Sequence, residues 1–296
     1  MTSGWKTLNS IALCLTLTFL ACAAASHADD TTGPLRMPIT LSQAGDHSTA
    51  ALEFRRQALN SLSLSNKAAL FWSAAHEYHR AGAHKIADKM LDAAENADPS
   101  LLAPASLLRG ETATAIQDWP ASSFYFQSLA STAGNSNMTR FASRRLAVSE
   151  LHRQNMDAAR LALSGSGPDE TPSIAALDQY SRGHDKKPWI GGVLGLIPGL
   201  GYAYSGEYAN AGRSLILNSL FIYGMVNTAE NESWGAFAAI SFFELTWYSG
   251  SIYGGIDAAH RYNQDRLDAC SQGIMNNASF NPNYSTLPAL TIQFQF

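Results

Sequence analysis

The sequence predicts a mainly α-helical protein: a short stack of paired helices, then a hydrophobic helical module, then a tail ending in a short strand or in disorder. Three observations carry this. Large and small apolar residues recur at helical spacing between residues 42 and 166, three apolar segments follow between 186 and 262, and the last residues alternate apolar with polar. With residues 1–28 set aside as an export signal, the chain divides into a disordered start at 29–41, repeats at 42–166, a linker at 167–185, the module at 186–262 and the tail at 263–296.

Lys6, an apolar run from Ile11 to Ala25, and Ser26-His27-Ala28 ahead of Asp29-Asp30 give the charged, apolar, small-residue order of a secretory signal peptide. Two processing outcomes stay open. One is cleavage after Ala28; the other is lipidation of Cys22, although Phe19 stands where a lipoprotein signal expects leucine. Of three cysteines, Cys14 and Cys22 fall within the signal, so cleavage after Ala28 leaves Cys270 alone and rules out an intramolecular disulfide. A net charge of -4, with basic residues scattered, argues against nucleic acid as a partner.

In the repeat region Asp46–Leu59 reads as one packed helix with Ala51, Phe54, Ala58 and Leu59 on its apolar face. From Ala68 to Leu101, Phe71, Ala74, Ala75, Tyr78, Gly82, Ala87, Leu91, Ala94 and Pro99 supply large, small, small, aromatic, glycine, alanine, large, alanine and proline in turn. This segment resembles a tetratricopeptide repeat. The physics agrees: Ala75 and Ala87 let two helices approach, Gly82 turns the chain, and Pro99 stops the second helix. Looser copies follow, marked by Leu108, Trp119-Pro120, Ala121 and Tyr125, then by Leu146, Ala147, Glu150, Ala159 and Leu163. The resemblance implies a superhelical stack whose concave face holds a peptide or another protein. The alternative is a plain helical bundle with no groove. Gly165 to Ser181, rich in Gly, Ser, Pro and acid, reads as a linker.

Composition shifts at Lys186-Lys187-Pro188-Trp189. The apolar segments Trp189–Tyr204, Leu215–Ala229 and Trp234–Ile256 follow, interrupted by Pro198-Gly199, by brevity, and by Glu244 with three glycines respectively. None is an unbroken apolar span of about twenty residues. Trp189, Trp234 and Trp247 nevertheless sit as interfacial anchors do, and the glycines permit close helix contact, so membrane association is expected. A water-soluble helical core is the alternative. Pro198-Gly199-Leu200-Gly201-Tyr202-Ala203-Tyr204-Ser205-Gly206 resembles the proline-glycine signature of small two-helix membrane domains in bacterial envelope proteins. With Asn218, Phe221, Glu244, Trp247-Tyr248, Gly250, Tyr253-Gly254 and Ala258 to Asn263, the pattern resembles tetratricopeptide-containing membrane proteins of Gram-negative bacteria, a resemblance that implies an architecture rather than an activity. Lys186, Lys187, Arg213 and Arg261 against Glu230 and Glu232 would place the linker inside the cytoplasm, in conflict with export. The conflict eases if Trp189–Tyr204 crosses, or if the module lies on a membrane surface.

No catalytic, cofactor or metal site is expected. His76-Glu77-Tyr78-His79 has one residue between Glu77 and the second histidine where a zinc-protease helix needs two, and it reads as a solvated helix face. Gly199-Leu200-Gly201 begins like a dinucleotide fingerprint, but Tyr204 takes the third glycine's place and no strand precedes it. Glu244, ionisable within an apolar segment, reads either as part of an ion path or as a carboxylate bonded to Asn218, Trp247 or a tyrosine at a helix interface. Leu290, Ile292, Phe294 and Phe296 alternate with Thr291, Gln293 and Gln295, which predicts a strand. Its ending resembles the terminal strand of outer-membrane β-barrels, but the helical periods upstream, without the many alternating segments a barrel needs, argue against a barrel. The strand is expected to pair with a partner's sheet or with a second copy.

The expectation is therefore a non-enzymatic scaffold in the envelope of a Gram-negative-type bacterium. It would hold a protein or peptide on periplasmic repeats and contact membrane lipid through the module. Its rival is a permeation component using Glu244.

Overall fold

The computed structural model describes residues 33, 35–132, 136–165, 170–287 and 289–296. The expected export signal at 1–28, with Cys14 and Cys22, lies outside the described residues. The chain is mainly helical and divides into two compact units, residues 1–116 with 280–294, and residues 117–279 with 295–296.

The first unit holds α1 (Arg36–Gln43), α2 (His47–Asn60), α3 (Leu64–Arg80), α4 (His84–Ala97) and α5 (Leu102–Ala115). Strands β1 (Ser279–Asn283) and β2 (Thr291–Gln295) follow at the chain's end. Asp46 accepts from the Thr49 amide to cap α2, and Ser63 accepts from the Asn66 amide to cap α3. At the end of α3 the amides of Gly82 and Ala83 return to the carbonyls of His79 and Tyr78. Gly82 takes φ +74°, which a Cβ would strain. Asp98 then caps one 3₁₀ turn, Pro99–Leu101, so α4 ends before the proline ring would clash with it.

The α3–α4 pairing matches the spacing read from sequence: Ala74, Ala75, Ala87, Leu91 and Ala94 are buried together with Phe54, Phe71, Trp72, Tyr78 and Leu108. Alanine at Ala75 and Ala87 lets the backbones close, and the aromatic rings fill the space left around them.

Three expectations change here. In the expected disordered start at 29–41, residues 36–41 belong to α1, with Leu35 and Ile39 packed on the core, while 29–32 and 34 lie outside the described residues. The expected repeat region 42–166 has its residues up to Ile116 in the first unit and those from Gln117 in the second. The terminal strand pairs with β1 of its own chain, across a connection too short for a parallel crossover, and Phe280 meets Phe294 at 6.4 Å between centroids.

The second unit holds α6 (Trp119–Thr132), α7 (Ser136–His152), α8 (Met156–Ser164), α9 (Thr171–Arg182), α10 (Pro188–Leu194), α11 (Leu200–Tyr204), α12 (Tyr208–Glu230) and α13 (Trp234–Met275). Its core gathers Ala147, Val148 and Leu151 of α7, Ala159 and Leu163 of α8, Leu177 of α9, and Cys270 and Ile274 of α13. The expected linker at 167–185 therefore contains a packed helix. Leu177 gives α9 an apolar anchor, and the Ser173 hydroxyl donates to the Ile274 carbonyl at 2.7 Å. The module's boundary at 262 also moves, since α13 runs unbroken for 42 residues to Met275. Arg144 pairs with Glu170 at 2.8 Å, both buried, and donates to the Met275 carbonyl at 3.0 Å. The terminal Phe296 ring receives Arg140 at 4.4 Å and Arg144 at 5.3 Å, a cation–π contact.

Candidate functional site

Two arrangements have the chemistry of a site. The first is built on Glu77, in the middle of α3 and fully buried. A buried carboxylate is costly unless it is hydrogen-bonded, and three elements supply donors. The Ser42 hydroxyl of α1 donates to Oε1 at 2.9 Å, His47 of α2 places Nδ1 2.8 Å from Oε2, and the Tyr284 hydroxyl, between β1 and β2, donates to Oε1 at 2.6 Å. Burial alone would push the Glu77 carboxyl up; the bonds from His76, Tyr284 and His47 outweigh it and hold the group at about 2.

The neighbouring His76 fixes the direction of the chain of protons. Its Nδ1 lies 2.6 Å from the Tyr284 hydroxyl. That hydroxyl's one proton goes to an ionised carboxylate that only accepts, so the imidazole must donate through Nδ1. Burial lowers the His76 pKa, which favours a neutral ring. Trp72 stacks on this ring with centroids 5.7 Å apart, while Phe280 and Tyr284 approach it edge-on at 6.0 and 6.1 Å. His76 and Glu77 are thus not a solvated face, as the sequence suggested: α1, α2 and the tail cover them. Among the described residues no cluster of three or more His, Cys, Asp and Glu side chains is arranged to hold a metal ion.

The second arrangement is the hairpin of α12 and α13. Leu215, Ile216, Leu220, Tyr223 and Val226 of α12 are exposed, as are Trp234, Phe242, Phe243, Leu245, Trp247 and Tyr253 of α13. Leu245 is 70 % exposed and Phe242 68 %. In α12 and in the first part of α13, up to Ser251, the side chains that are buried are polar: Ser214 and Asn218 on α12, Glu244 and Ser251 on α13; the apolar side chains that α13 buries, Ala258, Ala259, Cys270 and Ile274, come after them. Ser214 and Ser251 share a hydrogen bond of 2.9 Å, and Asn218 Nδ2 donates to the Ser214 carbonyl at 2.6 Å. Asn218 Oδ1 and Glu244 Oε2 are buried with no hydrogen-bond partner among the described residues. Among the described residues Glu244 makes no bond to Asn218, Trp247 or a tyrosine, the interface pairing that was one of its two expected readings.

Glycines set this hairpin against α10 and α11. A Cβ on Gly201 would stand 2.8 Å from the Gly255 Cα, and one on Gly195 2.8 Å from the Ile252 Cα, distances only hydrogen allows. Gly199, at φ +89°, starts α11 in a left-handed conformation directly after Pro198. Lys186 exchanges two hydrogen bonds with the Asn263 side chain, at 2.7 and 2.9 Å, and Tyr248 donates to the Leu196 carbonyl at 2.7 Å. Among the described residues, no helix is long and apolar enough to cross a membrane.

Comparisons with models of protein families, with curated proteins and with solved structures give no match.

Proposed function

We propose that the protein is a non-enzymatic adaptor of the bacterial cell envelope. The paired helices of the first unit, tetratricopeptide-like in their spacing, hold a protein or peptide, and the α12–α13 hairpin keeps the chain at a membrane. One observation carries the membrane half: the polarity of the hairpin is reversed, with Ser214, Asn218, Glu244 and Ser251 inside and bulky apolar side chains outside. Removing each such side chain from water is worth roughly 1.5–3 kcal/mol. Large apolar side chains exposed in this number on two paired helices favour a lipid or protein contact. The partner half is supported by the buried α3–α4 register and by the paired helices that precede it. The test is fractionation of the intact chain, in which the adaptor reading requires the protein to sediment with membranes until detergent is added.

A second reading has one specific observation behind it. Glu244 and Asn218 each leave a buried oxygen without a partner among the described residues, as groups lining a permeation path would. Glu244→Gln separates the two, since an adaptor keeps its membrane and partner binding with glutamine there and a conductor loses its transport.

A further inference from the structure

Within the first unit, tail residues 280–287 and 289–292 pack as a cover over what lies beneath them. Trp72, Glu77 and Phe54 are fully buried, whereas no residue from 279 to 287 or from 289 to 296 is buried to that degree. Tyr284 lies 4.8 Å from Phe54 between ring centroids and reaches Glu77 with its hydroxyl. Phe280 meets His76, and Leu287, Leu290 and Ile292 rest on the same apolar cluster.

The face beneath is built to survive without its cover. Two of the three donors that reach Glu77 from other elements, Ser42 and His47, belong to α1 and α2, so loss of Tyr284 leaves the carboxylate bonded on both oxygens. The face also has unused capacity. The Trp72 indole N–H is buried with no acceptor among the described residues, and a cleft of about 230 Å³ lined by Leu35, Gln57, Leu70 and Leu287 continues beside the tail. Asn276 and Asn277, just before β1, both take positive φ, at 45° and 61°, a sharp bend where the tail leaves α13.

We propose that the face bearing Phe54, His76 and Glu77 is a peptide-binding site, that residues 280–287 and 289–292 are its resident occupant, and that an extended partner segment displaces them. The tail defines the ligand: an aromatic residue, a tyrosine four positions later, and an aliphatic residue three beyond that, as in Phe280, Tyr284 and Leu287. This rests on the reading of the first unit as a partner-holding repeat, and it deepens that reading by naming the ligand chemistry.

The experiment uses the intact chain and a fluorescent synthetic peptide of residues 276–296, with anisotropy as the readout. The double variant Tyr284→Ala/Leu287→Ala should bind the peptide at least tenfold more tightly than the unaltered protein, whose own tail competes. Changing the peptide's tyrosine to phenylalanine should weaken binding at least fivefold. Equal binding by both proteins, or none by a variant that retains its helical circular dichroism, overturns the proposal. If the variant unfolds, hydrogen exchange on the unaltered chain decides: amides of 280–292 should exchange at least tenfold faster than those of α3, and equal rates would make the tail an integral part of the fold. Failure of membrane or partner binding would count against the adaptor reading while leaving the peptide result unchanged.

Discussion

The Tyr284 hydroxyl donates to Glu77 Oε1 at 2.6 Å, joining side chains 207 positions apart in the sequence. Removing this donor with Tyr284→Phe takes away a hydrogen bond to a charged group and also the nearer acceptor of the His76 Nδ1–H, whose other neighbour, Glu77 Oε1, is 3.4 Å away. Thermal unfolding should show the first unit weakened by about 1–3 kcal/mol. An unchanged melting temperature would mean that this hydrogen bond contributes nothing to the stability of the unit.

Glu77 also sets an acid dependence. Its folded pKa of about 2 is below its ordinary value of 4.5. A depressed carboxyl adds stability that is fully present above the ordinary value and is lost as pH falls toward the folded one. The window is therefore pH 4.5 to 2, with roughly 3 kcal/mol at stake. In acid titrations followed by circular dichroism, Glu77→Gln should start less stable at neutral pH and show a flatter loss across that window. Parallel curves for the two proteins would sink the assignment.

The helix pairing of the first unit was legible in the sequence because it depends on near neighbours. Gly82, Ala87 and Leu91 have meaning at fixed spacing from Phe71 and Ala75, and all are placed as expected. Glu77 was not legible, since its donors Ser42, His47 and Tyr284 lie 35, 30 and 207 positions away and nothing local distinguishes a buried glutamate from a solvated one. The terminal strand showed its period but not its partner: β1 contains Asn281, Pro282 and Asn283, residues that read as a turn. In the module, apolar periodicity located α12 and α13, yet which face is inside depends on the small and polar residues between them.

Ala87 is fully buried at the α3–α4 contact. Ala87→Leu should overpack it at a cost of about 1–3 kcal/mol, measured as a lower melting temperature. Full retention of stability would show that the helices are registered differently.

Gly201 and Gly255 should not tolerate a methyl group. A Cβ on Gly255 would lie 2.9 Å from the Gly201 Cα, whereas one on Gly250 meets nothing within 4 Å. Gly255→Ala should destabilise the second unit by about 1–3 kcal/mol, and Gly250→Ala should be close to neutral. Equal melting temperatures for the two variants would contradict the packing of α11 against α13.

The proposed membrane role makes the outward apolar side chains of α12 and α13 the groups that hold the chain at a membrane. Its most direct test is fractionation of cells expressing the intact protein beside the variant Phe242→Glu/Phe243→Glu/Leu245→Glu. The unaltered protein should sediment with membranes and enter solution only with detergent, and the variant should be displaced into the soluble fraction while keeping its helical spectrum. Recovery of the unaltered protein in the soluble fraction without detergent would contradict the account.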